Sequence, residues 1–179
     1  MQFFTRFAGH RAKRFAVWTV YAMGITLVAG PAAAQAPEMG LWIDHDGKGA
    51  IEIKPCANGQ TLCGNIVWLK SQVNDRGEPL FDRRNPNEGM RTRPICGLPV
   101  IGNLSRTPDG WDGGWIYSPE EGTQYDVHIK AAAQDRLVVT GYKGIKLFSK
   151  TFTWTRAPEE FTQRCEVQGG GAGQQASTP

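Results

Sequence analysis

The sequence predicts an all-β protein: an eight-stranded antiparallel up-and-down barrel with one long loop that carries a short helix. Three observations lead there. Apolar and polar residues alternate with a period of two along eight short segments. Most links between those segments are brief turn formers, so neighbours in sequence pair in space. Gly40-Leu41-Trp42 opens the run and Trp154-Thr155-Arg156 closes it, and a first strand laid beside the last leaves no free edge.

The strand segments are 41–44, 50–56, 62–70, 98–104, 111–117, 123–131, 137–143 and 147–156. Asp46-Gly47-Lys48-Gly49, Asn58-Gly59, Pro108-Asp109-Gly110, Pro119-Glu120-Glu121-Gly122 and Gln134-Asp135 lie between them as turns. Alternation is clearest in the sixth segment. There Thr123, Tyr125, Val127 and Ile129 share one face, expected inward, and Gln124, Asp126, His128 and Lys130 share the other. In the last segment the parity of Phe148, Phe152, Trp154 and Arg156 is expected inward. Trp42, Trp115, Tyr117, Tyr125, Phe152 and Trp154 are the expected inward aromatics, enough to fill much of a small barrel. At the seam, Arg156 is expected to stack on the Trp42 ring and bond nearby carbonyls, with Trp154 beside it, as the closure of the barrel.

One link is long. Residues 71–94 exceed an ordinary barrel connection, and such loops tend to carry function. Asn85-Pro86-Asn87-Glu88 has a capping residue, a proline at the first helical position and a glutamate three residues after the cap, which predicts a one- or two-turn helix. Asp82 sits among Arg83, Arg84, Arg91 and Arg93. Two readings follow: an anion clamp at the barrel mouth using guanidinium forks, or a pin in which Asp82 and one arginine fix the loop. The pin is favoured, because a buried carboxylate needs a partner.

The ends of the chain differ from this middle. Arg6, Arg11, Lys13 and Arg14 precede an apolar run at 15–30 and the small residues Ala32-Ala33-Ala34, the order of a secretory signal over residues 1–34. The run has about 16 residues against the roughly 20 that span a bilayer, which favours a cleaved leader over an anchor. Residues 35–166 form the single barrel domain, and the Gly/Gln-rich stretch 167–179 is expected to be a disordered tail. Without the leader's four basic residues the chain carries 16 Lys+Arg against 17 Asp+Glu, so nothing points to nucleic-acid binding, which needs a basic face, and none is expected. No later segment is apolar enough to span a membrane.

All four cysteines follow the leader, and an even number in an exported chain points to disulfides. Cys56 and Cys63 flank a turn that would set them opposite each other. Cys96 with Cys165 then follows by elimination, although the sequence alone allows three connectivities. Zinc is not expected, since there is no Cys-x-x-Cys pair and beyond the leader only His45 and His128 remain. Asp44-His45-Asp46-Gly47 begins like a calcium loop, but Lys48 stands at position five and Pro55 at position twelve, so a turn is the better reading. No serine lies in a Gly-x-Ser-x-Gly elbow, no phosphate-cradling glycine loop occurs, and no cofactor is implied. The chain is therefore expected not to be an enzyme; a hydrolase ranks last.

Gly40-x-Trp42, Leu62-Cys63-Gly64-x-Ile66-Val67-Trp68-Leu69, Gly77-x-Pro79-Leu80-x-Asp82-x-x-Asn85-Pro86, Arg91-x-Arg93-Pro94-x-x-Gly97-Leu98, Gly114-x-Ile116-Tyr117-x-Pro119 and Trp154-x-Arg156 together resemble a bacterial exported family classified as a domain of unknown function. The likeness covers nearly all of residues 39–157. The Gly-x-Trp start and closing arginine are also similar to the lipocalin or calycin superfamily. The resemblance implies a calycin-like barrel in a periplasmic or secreted protein, and it carries no activity. The first functional reading is non-catalytic binding of a small apolar or amphipathic ligand, with Asp82, Asn85, Arg91, Arg93, Trp115, Tyr117 and Tyr125 as candidate contacts. The alternative is a filled barrel that meets an envelope protein or glycan through the 71–94 loop.

Overall fold

The computed structural model describes residues 35–158 together with Phe161, Arg164 and Cys165; the leader expected at 1–34 and the tail expected at 167–179 lie outside these described residues. Eight strands, β1 Gly40–Ile43, β2 Gly49–Pro55, β3 Leu62–Leu69, β4 Pro99–Thr107, β5 Gly110–Ser118, β6 Thr123–Ala133, β7 Arg136–Lys143 and β8 Ile145–Arg156, close into one antiparallel barrel in sequence order. Among the described residues, no helix is long and apolar enough to cross a membrane. The helix expected near residue 85 is a single 3-10 turn, Glu88–Met90, capped by Asn87, whose side chain accepts from the Gly89 amide. Asn85 lies ahead of it: its side-chain oxygen accepts the Asn87 amide at 2.9 Å, while its NH2 group donates to Asp82 and Tyr117.

Up-and-down order puts the β1–β2, β3–β4, β5–β6 and β7–β8 links at one end of the barrel. At the other end lie the remaining turns and the chain's entry and exit. That second end is sealed. Trp42 is fully buried, its indole N–H donating to the Glu38 carbonyl at 2.8 Å, and Trp111 donates to the Glu38 carboxylate at 3.1 Å. The same carboxylate accepts the Ala131 amide at 3.2 Å, so it is buried but satisfied. Ile53, Leu62, Leu104, Ile129 and Leu137 pack around these rings, each contributing about 1.5–3 kcal/mol by leaving water.

At the seam, the Arg156 guanidinium lies 4.1 Å from the Trp42 ring centroid and donates to the carbonyls of Gln134, Met39 and Pro37. Gly40 has φ +122°, and a Cβ there would stand 2.5 Å from an Arg156 nitrogen, which gives the Gly-x-Trp motif a physical reason. The seam is short. β1 pairs with β8 only at Trp42↔Arg156 and Ile43↔Thr155, while β8 has 12 residues against the 4 of β1. Most of β8 therefore has no β1 partner among the described residues.

Two bonds join the cysteines: Cys56 to Cys63 with sulfurs 2.01 Å apart, and Cys96 to Cys165 at 2.46 Å. The first clamps the β2–β3 turn. The second ties the end of the long loop to the segment after β8, where the Cys165 amide donates to the Val67 carbonyl and Phe161 meets Trp68 edge-on. Peptide mapping without reductant is expected to recover these two cross-linked pairs; a free thiol at Cys56 or Cys63 would contradict the β2–β3 register.

Candidate functional site

Register decides which side chains enter the barrel, because directly opposed residues share a face. Ile101, Ile116 and Tyr125 form one row, and Val127 pairs with Gly141, which pairs with Lys150. Val127 and Ile129 are fully buried, so this is the inner face, and the expected parity of β6 holds. Trp115 and Tyr117 depart from expectation. Trp115 pairs with Gly102 and Asp126, and Tyr117 pairs with Gln124, all on the outer face. A register shift between Trp111 and Gly114 resets the alternation of β5. The Trp115 indole lies against Gly102, where a Cβ would stand 2.5 Å from the ring. Phe148 also departs from the inward expectation. It is 75 % exposed, because the pairing jumps from Tyr142↔Ser149 to Lys143↔Ile145 and breaks the alternation.

The end opposite the sealed one divides into two parts. The first is the long loop, organised by Asp82. Its carboxylate is fully buried and accepts from the Tyr117 hydroxyl at 2.7 Å, the Asn85 amide at 2.7 Å and the Arg93 guanidinium at 2.9 Å. The Asp82 amide donates to the Arg93 carbonyl, making the loop's own small ladder with Phe81↔Pro94. Burial raises the carboxyl's pKa, but the three donors outweigh it and hold the group below the usual carboxylate range. Burial and then the bond to Asp82 push the Tyr117 hydroxyl up to about 12. The other guanidiniums are engaged locally: Arg91 with Glu88 and the Asn85 carbonyl, Arg84 with the Glu120 carbonyl, and Arg83 with Glu78 and the Phe81 ring. The structure thus brings Asp82, Asn85, Arg93 and Tyr117 together, with Arg91 joined to them through the Asn85 carbonyl, while Trp115 lies on the outer face.

The second part is the mouth itself. Ile116, Tyr125 and Phe152 point along the inner face yet are only half-buried. His45 packs on Phe152 with ring centroids 4.2 Å apart. The Tyr125 hydroxyl donates to Glu121 at 2.5 Å, and this bond, with a smaller effect of burial, raises its pKa. Lys143 stands 5.0 Å from the Tyr125 ring centroid. On the rim, Asp44 and Asp46 both accept the Lys48 amide, as a turn requires. Burial, and then the neighbouring Asp46, push Asp44 up to about 6. Among the described residues, no group of three or more His, Cys, Asp or Glu is placed to hold a metal ion.

Sequence patterns gave no sign of Glu38, Lys143 or Lys150, and they bring up His45 as a candidate metal ligand, not as a partner of Phe152. A lone acid before the first strand has no motif, and the two lysines are recognised only once the β6–β7–β8 register puts them beside Tyr125 and Gly141.

The solved structure entitled "Protein HP1028 from the human pathogen Helicobacter pylori belongs to the lipocalin family" is similar to this chain, with a TM-score of 0.58 and 22% identity over 68% of this chain and 84% of that one. The likeness is one of fold. No curated protein matches. A bacterial family described as an uncharacterised protein conserved in bacteria, DUF2147, matches residues 40–156, the whole barrel from the glycine of Gly-x-Trp to the closing arginine, and the chain belongs to that family.

Proposed function

We propose that the protein is an exported, non-catalytic carrier or sensor that binds a small apolar or amphipathic molecule in the open end of its barrel. One observation carries this reading: Ile116, Tyr125 and Phe152 face inward but are only partly buried, so the sealed core stops short of the mouth and leaves apolar groups for an occupant. Gly141 on the same face adds room, since a Cβ there would meet Tyr125 and Ile116 only at 3.9 and 4.0 Å. Lys143 and Lys150 supply cations at the rim for an acidic head group. The long loop supports the reading as a fixed wall, because its Asp82 cluster and Arg83, Arg84, Arg91 and Arg93 are turned to partners within the protein. Export accords with two disulfides and with the leader expected at 1–34.

Native mass spectrometry of the processed protein, purified from its own envelope, tests the proposal. A co-purifying small molecule is expected, released on unfolding, and Phe152→Asp is expected to lose it while keeping both disulfides. A ligand-free mass, with no uptake of apolar fluorophores, would overturn the reading.

A further inference from the structure

The β7–β8 hairpin differs from the rest of the surface in composition and in shape. Residues 136–156 contain Lys143, Lys146, Lys150, Arg136 and Arg156 and no aspartate or glutamate, in a chain whose remainder is acidic once the leader is set aside. Between the pairs Tyr142↔Ser149 and Lys143↔Ile145, the residues Lys146, Leu147 and Phe148 face nothing across the hairpin and are extruded as a knuckle. Leu147 is 80 % exposed and Ile145 58 %, beside the exposed Phe148. Three large apolar side chains on one tip, ringed by lysines, form a patch that isolated surface hydrophobes do not.

The chemistry of the patch selects its occupant. A second copy would set lysine against lysine. An extended peptide added to the β8 edge would satisfy backbone groups, but it would not enclose a knuckle that projects past the ladder. A lipid interface surrounds an inserted tip on all sides, and an anionic one also attracts the lysines. Lys146 is paired with Asp112, and the Gly144 amide donates to Asp126, so those acids hold the base of the tip in shape. Lys150 makes no ion pair among the described residues and is available to phosphate.

We propose that the β7–β8 tip docks the protein on an anionic lipid surface, Ile145, Leu147 and Phe148 entering the boundary between head groups and acyl chains while Lys143 and Lys150 lie at phosphate level. The tip is on the mouth end of the barrel, so docking turns the mouth toward the bilayer. The apolar tip, Ile145, Leu147 and Phe148, is not among the groups assigned to a barrel ligand, so its insertion does not depend on the barrel being filled.

The processed protein from the envelope is mixed with phosphatidylcholine vesicles, with and without phosphatidylglycerol at a third of the lipid, and sedimented. Retention on the anionic vesicles is expected, weakened about tenfold or more by L147S/F148S together and lowered, on anionic vesicles alone, by K150E. These residues are exposed, so an unchanged melting temperature will show that the variants fold. Equal retention of the L147S/F148S variant, equal binding to both vesicle types, or no retention of the parent protein would each overturn the proposal. Self-association of the parent that the double variant abolishes would assign the patch to a second copy instead.

Discussion

Asp82→Ala is expected to lower the unfolding free energy by about 3 kcal/mol, a fall on the order of 10 °C in melting temperature. The loss arises from the partners left behind. Asn85 is buried and the Tyr117 hydroxyl partly so, and both donate to the carboxylate; with alanine they keep their desolvation cost and lose their acceptor. Arg93 contributes less, because its side chain is 41 % exposed and can return to water. Asp82→Asn preserves the shape and one acceptor oxygen, so its loss is smaller. The pH dependence has a definite sign. A carboxyl whose folded pKa lies below its unfolded value stabilises the fold fully above about pH 4 and loses that contribution as pH falls through the folded value. Denaturation curves at neutral pH and in acid should therefore differ more for the parent than for Asp82→Ala. A loss no larger than that of a surface substitution would show that the loop is held by its backbone ladder and disulfide alone.

The barrel was legible because its signal is local and repeated. Thr123 to Ile129 alternate without interruption, and the paired strand confirms the inner face at Val127 and Ile129. Legibility failed where the backbone breaks its own period. The shift between Trp111 and Gly114 turned Trp115 and Tyr117 outward, and nothing in Trp-Asp-Gly-Gly-Trp announces which residue is the extra one. The same holds for Phe148, expected inward by parity until the register jump at Lys143 exposes it. Partners distant in sequence were the other blind spot. Asp82 can be read as a carboxylate in need of a donor, yet Tyr117 lies 35 residues away, and Glu38 meets its partners 73 and 93 residues further on. Such pairs follow from topology, so they become visible only after the strands are ordered.

Arg156→Ala tests the seam where the two ends of the barrel meet. The variant is expected to lose about 2–4 kcal/mol, from the cation–π contact with a fully buried tryptophan and three hydrogen bonds to main-chain carbonyls. The site has little redundancy. Beyond the Arg156 side chain, β1 is tied to the last strand only by the backbone pairings Trp42↔Arg156 and Ile43↔Thr155 and by the Ala157 amide donating to the Leu41 carbonyl. Losing the guanidinium should therefore loosen β1 before the rest of the barrel, and amide exchange in residues 41–43 should quicken more than in β6 or β7. Arg156→Lys keeps the charge, but one ammonium on a flexible stem cannot reproduce a planar fork reaching Met39, Pro37 and Gln134 at once, so it should recover only part of the loss. If both variants melt within a degree or so of the parent and exchange in β1 is unchanged, burial of Trp42 closes the barrel unaided, and the arginine's place in the motif needs another cause.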